Sequence, residues 1–133
     1  MAFEDDSALV GGSQLLRVLI DKNWCAVKED GSERASSAAF TESTNEASCF
    51  IASETDVSLI KQRFPGKKWA VITAEDARSA GFIVARDEEG GGGIPGHVVL
   101  VQVSARPQSK QHVRLARQLA GKSRVISPDS FLG

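Results

Sequence analysis

His97-Val98-Val99-Leu100-Val101-Gln102-Val103 is the strongest strand signal in the chain, and the segments around it decide the fold. The apolar run is nearly continuous, the pattern of a central strand covered on both faces. Downstream, Val113, Ala116, Leu119 and Ala120 recur at helical spacing and predict a helix over 109–120 that Gly121 stops. Arg124-Val125-Ile126 then reads as a short last strand before Pro128. The connection over 104–123 is long enough for a right-handed parallel crossover.

Upstream, Phe82-Ile83-Val84-Ala85 and Trp69-Ala70-Val71-Ile72 read as buried strands. Between them Thr73 caps a short helix over 74–80, with Asp76 in the capping-box position and Gly81 as its C′ residue. That link is shorter than most crossovers, which leaves an antiparallel pair open. Val57, Ile60 and Phe64 define a helix over 55–64 that Pro65-Gly66 ends. Strands are expected at Ala47 to Ala52 and at Trp24 to Val27, the latter followed by an Asp30-Gly31-Ser32 turn. Leu15/Leu19 and Leu16/Ile20 are i,i+4 pairs behind Ser13, predicting a helix over 14–22 with an Arg17–Asp21 surface ion pair. Together these elements describe one layered α/β (or α+β) domain with a mixed sheet of about five strands and three to four helices. A polar lead-in over 1–12 precedes a domain at 13–128, and 129–133 form a tail.

The chain has 133 residues, of which 41% are hydrophobic and 25% charged, ordinary values for one globular domain that needs no staple. A net charge of −1 lacks the positive field of a general nucleic-acid binder. The basic residues Lys110, Arg114, Arg117, Lys122 and Arg124 read as a solvated helix face, with His112 solvated among them. Cys25 and Cys49 read as small buried hydrophobes, since neither has a Cys or His at ligand spacing. No apolar run approaches the ~20 residues of a membrane span, and the acidic start lacks the features of a signal peptide. A reducing cytoplasm is the expected setting, with no metal and no cofactor.

Chemistry is expected in three places. Asp30, Ser32, Arg34, Ser36 and Ser37 fall within eight residues between Trp24 and Phe40. An arginine fork, serine hydroxyls and glycine-rich backbone can hold an anion, although the same residues also make a polar hairpin that satisfies itself. His97 enters the best strand directly after Pro95-Gly96, where a histidine can serve as acid or base. Gly90 to Gly93 lie in a loop over 87–96 without a dinucleotide fingerprint, a flexible connection or a lid. A Ser-His-Asp reading from Ser36 or Ser37, His97 and Asp30 has no G-x-S-x-G elbow behind it.

The phrase Trp24…Asp30-Gly31-Ser32-Glu33-Arg34-Ala35-Ser36-Ser37-Ala38-Ala39-Phe40, with Ala77-Arg78-Ser79-Ala80-Gly81 and Pro95-Gly96-His97, resembles a family of small uncharacterised bacterial proteins. The likeness spans about 15–120 and implies a small bacterial domain without an assigned activity. Arg78, in the second of these phrases, joins the candidate ligand-binding residues. A second similarity is to the small ADP-ribosyltransferase-like toxins, in which an arginine, a serine motif and a glutamate bind and split NAD. The matching types would be Arg17, Ser36 or Ser37, and Glu46, but Arg17 is expected on a helix instead of a first strand.

The leading expectation is therefore a domain that binds a partner protein or a small anion through the 30–40 loop. The alternative is an enzyme acting on a nucleotide or ester through His97, Arg34 and Ser36. RNA contact by the last helix is the third reading.

Overall fold

The computed structural model describes residues 3–130. Its strands are β1 (Gln14–Val18), β2 (Cys25–Val27), β3 (Glu33–Ala35), β4 (Ala47–Ile51), β5 (Trp69–Thr73), β6 (Phe82–Arg86), β7 (His97–Gln102) and β8 (Arg124–Ile126). Its α-helices are α1 (Val57–Arg63), α2 (Ala74–Ser79) and α3 (Lys110–Lys122). The architecture is mixed α/β, with six strands in the order β6-β7-β4-β1-β5-β8 and a separate β2-β3 hairpin. Every neighbouring pair is antiparallel, which corrects the expected mixed sheet. The crossover through α3 delivers β8 to the far edge beside β5, not beside β7. Likewise β5 and β6 do not pair, because β6 lies against β7.

The sheet is covered on both sides. Leu15, Cys49, Ile51, Ala70, Ile72, Val84, Val98 and Leu100 face one layer, into which α2 and α3 send Ala77, Ala116 and Leu119. Leu16, Val18, Phe50, Trp69 and Val71 face the other, against Ile60 of α1 and Ile94 of the glycine loop. Two-sided burial explains the one wrong element. Gln14-Leu15-Leu16-Arg17-Val18 is a strand buried from its second residue onward, so its sequence is continuous where a half-exposed strand would alternate. The same residues satisfy an i,i+4 template, and periodicity cannot separate the two. The expected helix over 14–22 is thus a strand followed by a short 3-10 turn at Lys22–Trp24.

The Arg17–Asp21 surface pair is absent among the described residues; Arg17 is 3% exposed and its carboxylate neighbour is Glu42. His112 is also corrected, from solvated to fully buried. Gly121 lies inside α3 instead of ending it, and Ser123 is the C-cap. Cys49 is buried, which pushes its thiol up to about 12, whereas Cys25 is half-buried and directs its sulfur to Glu33 Oε2 at 3.2 Å. Among the described residues no helix is long and apolar enough to cross a membrane.

The lead-in is tied to the sheet. Asp6 N–H donates to the Val84 carbonyl at 2.8 Å, Val84 N–H donates to Asp5 Oδ1 at 2.9 Å, and Leu9 is buried. Covering the free edge of β6 in this way removes a template for unwanted strand pairing. Arg86 fastens the arrangement by reaching Asp6 Oδ2 at 2.8 Å and Glu54 Oε2 at 2.8 Å. Its hydrogen bonds are the largest influence on both carboxyls and hold each below its ordinary value. Depressed folded-state values give stability that is present above the unfolded carboxylate range of about 4 and is lost as pH falls through the folded values. We expect the urea midpoint to drop between pH ~6 and pH ~3, and Arg86→Met to remove part of that drop. An identical acid limb in Arg86→Met would refute the assignment.

Candidate functional site

The 30–40 segment divides into three parts that do not form one site. Asp30 and Ser32 close a turn on themselves: Ser32 N–H and Oγ both donate to Asp30 Oδ1, at 2.9 and 2.6 Å. The Ser32 hydroxyl, then its N–H, holds the exposed Asp30 carboxyl below its ordinary range. This is self-satisfied turn chemistry. Arg34, Ser36 and Ser37 instead line a cavity of about 210 Å³ with Arg117 of α3, where Ser36 Oγ is committed to the Asn23 carbonyl at 2.7 Å. Ser37–Phe40 then turns inward as a 3-10 helix and buries Ala39 and Phe40.

Arg78 has a structural assignment. Its guanidinium reaches Asp5 Oδ1 at 3.1 Å and the carbonyls of Leu9 and Asp6 at 2.9 and 2.8 Å, so all three nitrogens hold the N-terminal segment.

His97 lies elsewhere, in a cleft of about 270 Å³ that Arg34 and Ser36 do not line. The cleft arises from a break in the sheet. β1 pairs with β5 along its whole length, from Gln14–Thr73 to Val18–Trp69. With β4 it pairs only at Leu15–Ile51 and Leu16–Phe50, whereas β4 stays paired with β7 as far as Ala47. Beyond Leu16 the two strands part, and the Arg17 side chain fills the opening. Its Nε donates to the Ala39 carbonyl at 2.9 Å and its Nη1 to the Ser48 carbonyl at 3.0 Å. Its Cζ lies 4.4 Å from the centre of the Trp24 ring, a cation–π distance. Burial works against its charge and lowers its pKa, a cost that the two carbonyls and Glu42 offset.

Two nitrogens of this cleft are met differently. Arg17 Nη2 is buried and is met by the Glu42 carboxylate, whose Oε1 lies at an ion-pair distance of 3.5 Å. His97 Nε2 is buried and unpartnered, in a side chain that is 3% exposed. The opposite nitrogen, Nδ1, lies 2.8 Å from the Asp87 carbonyl oxygen and 3.6 Å from Asp87 Oδ2. Because a carbonyl can only accept, Nδ1 carries the proton and the Nε2 of neutral His97 offers a lone pair. Aromatic and aliphatic side chains complete the lining, chiefly Trp24, Phe50, Phe64 and Val18, with Arg63 at the mouth.

The glycine loop closes over this site. A Cβ on Gly91 would sit 2.8 Å from His97 Cγ, and one on Gly92 would sit 2.5 Å from Arg63 Nη1. Both positions have positive φ, +74° and +64°, which favours glycine, and at Gly91 the buried His97 ring also leaves no room for a side chain. The loop that reads as a mobile connection packs as the near wall of a pocket.

No family model, no curated protein and no solved structure matches the chain. The geometry is therefore the only guide to chemistry. Arg17 lies on β1 and not on the expected helix, and Ser36, Ser37 and Glu46 do not line the cleft with it. Sequence reading finds His97 and the glycine loop, and misses Arg17, Glu42 and Arg63 as their companions. The available signal for Arg17 was a charge interrupting the apolar run Leu15-Leu16-Arg17-Val18-Leu19, a position that burial makes expensive.

Proposed function

We propose that this domain binds a small anionic ligand in the cleft where β1 and β4 part. One observation carries the reading: Arg17 and His97, buried polar side chains from different strands, line one cleft with Arg63, and His97 Nε2 has no hydrogen-bond partner. Such an atom is costly in a folded protein unless something meets it, and a pocket with apolar walls and a few convergent polar groups is the usual form of a ligand site. Arg17 is held by two backbone carbonyls before any ligand arrives, so little order has to be created on binding.

The test is an amide-resolved NMR titration of the full chain with acetate, inorganic phosphate and benzoate. Signals of Ser48, Gly91 and Gly92 should move with at least one of these anions. Arg63→Met should weaken that binding about fivefold, the scale of one exposed charge. Its side chain is exposed, so the fold should be unaffected. Binding without movement at these positions, or no binding at all, overturns the proposal.

A second reading keeps the 30–40 segment. Arg34 and Arg117 share the 210 Å³ cavity beside α3, and neither has an ion-pair partner among the described residues. An anionic partner protein would be met by these two guanidiniums, and the same titration would then move Ser36 and Gly121. The enzyme reading that joins His97, Arg34 and Ser36 draws no such support, since these residues line two separate cavities.

A further inference from the structure

We propose that duplex DNA docks on the exposed face of α3, together with Arg34 of the hairpin beside it. The proposal is independent of the β1–β4 cleft, because no residue of this face lines that cleft.

Charge is segregated along the chain, and the net value of −1 conceals it. Residues 90–128 carry six bases and no acid, while the rest carries ten bases and all seventeen acids. Three of the six, Lys110, Arg114 and Arg117, lie on the exposed side of α3, opposite the buried His112, Ala116 and Leu119. Arg34 of β3 joins them at the cavity it shares with Arg117. None of these four has an ion-pair partner among the described residues, whereas Arg17, Arg78 and Arg86 are each tied to a carboxylate. Only Asp76 comes within ion-pair distance of a base on α3 among those residues, 3.9 Å from Lys122 at the far end. A helix face that is merely solvated gains from opposite charges four residues apart. Here Lys110 and Arg114 repel at that spacing, and Arg114 and Arg117 repel at three. Lys110 also stands at the positive end of the helix dipole. The arrangement works against the free helix, and a polyanion relieves it.

Three features select duplex DNA among polyanions. Neither α3 nor β3 carries Phe, Trp or Tyr, so the face has no platform on which single-stranded bases would stack. The apolar side of α3 is committed to the core, and its exposed positions hold nothing to insert into a lipid surface. The crest of α3 presents Gln111 and Gln118 on either side of Arg114, all exposed. Amide and guanidinium groups match the donors and acceptors that adenine and guanine show in the major groove. An α-helix enters the wide major groove of B-form DNA and not the deep, narrow one of A-form RNA. At 13 residues, α3 is about 20 Å long. With Gln111, Arg114 and Gln118 toward the bases, Lys110 and Arg117 fall on the flank where Arg34 stands, facing one phosphate wall.

The experiment measures fluorescence anisotropy of a labelled DNA duplex with the full chain across a range of salt concentrations. Three phosphate contacts predict that affinity falls roughly fortyfold between about 50 and about 200 mM salt. Lys110→Gln/Arg117→Gln should weaken binding and lower the salt slope by about two units. Lys67→Gln/Arg124→Gln removes two exposed charges elsewhere and should leave the slope unchanged. Lys67 follows α1, and Arg124 pairs with Val71, whose side chain faces the layer under α1. Urea denaturation keeps lost binding from being read as lost fold. The Lys110→Gln/Arg117→Gln protein should unfold at no lower urea concentration than wild type, because the charges it loses repel a neighbour. A lower midpoint would make these bases structural and overturn the proposal. So would equal weakening by the two double variants, or no binding of the DNA duplex. Tighter binding of an RNA duplex would overturn it too, and poly-glutamate binding as tightly as DNA would point to an acidic protein instead.

Discussion

Arg17→Ala should be the most damaging single substitution at the candidate site, lowering unfolding stability by about 3–5 kcal/mol. The guanidinium stands where two strands separate and supplies hydrogen bonds to Ala39 and Ser48 in place of a strand ladder. Removing it strands the buried Ala39 carbonyl, at a cost of about 1–3 kcal/mol, leaves the part-buried Ser48 carbonyl to water and takes the partner of Glu42 away. It also empties the space above Trp24. Arg17→Lys should recover only part of the loss, because one ammonium cannot copy two donors set on a planar fork. Urea denaturation of the three proteins measures this directly. A loss below about 1 kcal/mol for Arg17→Ala would mean that water replaces the guanidinium, and that the break in the sheet is held by other contacts.

His112→Leu should be second, with an expected loss of about 2–4 kcal/mol, although leucine fills most of the same volume. Both imidazole nitrogens are engaged. Nδ1 accepts from the Gln108 N–H at 3.0 Å, so Nε2 carries the proton and donates to the Phe40 carbonyl at 3.1 Å. The ring also meets Phe82 edge-on at 5.8 Å. The side chain therefore ties the start of α3 to the 3-10 turn that ends at Phe40. Leucine keeps the packing and leaves the buried Phe40 carbonyl and the part-buried Gln108 N–H without their partner, which separates polar from apolar contributions. Amide exchange should localise the effect: Gln108 and the first turn of α3 should lose protection before the central strands do. Unchanged stability in His112→Leu would show that those two backbone groups find other partners.

Much of this was legible in the sequence, and the exceptions share a cause. Strands β4 to β8 and helices α1 to α3 were all expected near their observed positions, because each has a clear period or a turn signal at its ends. β1 was not, because a strand covered on both faces has no alternation to show. Strand order was also beyond reach: nothing local in Arg124-Val125-Ile126 says that it crosses the domain to pair with β5. At the site, His97 and the Gly90–Gly93 run stood out as residue types, and the structure brings both to one cleft. Arg34, Ser36 and Ser37 stood out equally and line a different cavity. His112 was read by its charged neighbours in sequence, whereas its spacing to Ala116, Leu119 and Ala120 placed it on the buried face of α3.

The parting of β1 from β4 also has a mechanical meaning. It divides the six strands into two panels, β6-β7-β4 and β1-β5-β8, sewn together over a short seam and riveted by one side chain. Arg17 belongs to one panel and His97 to the other. A molecule gripped by both would act as a second rivet, so filling the cleft would stiffen the seam and report its presence to the outer strands without any change of fold.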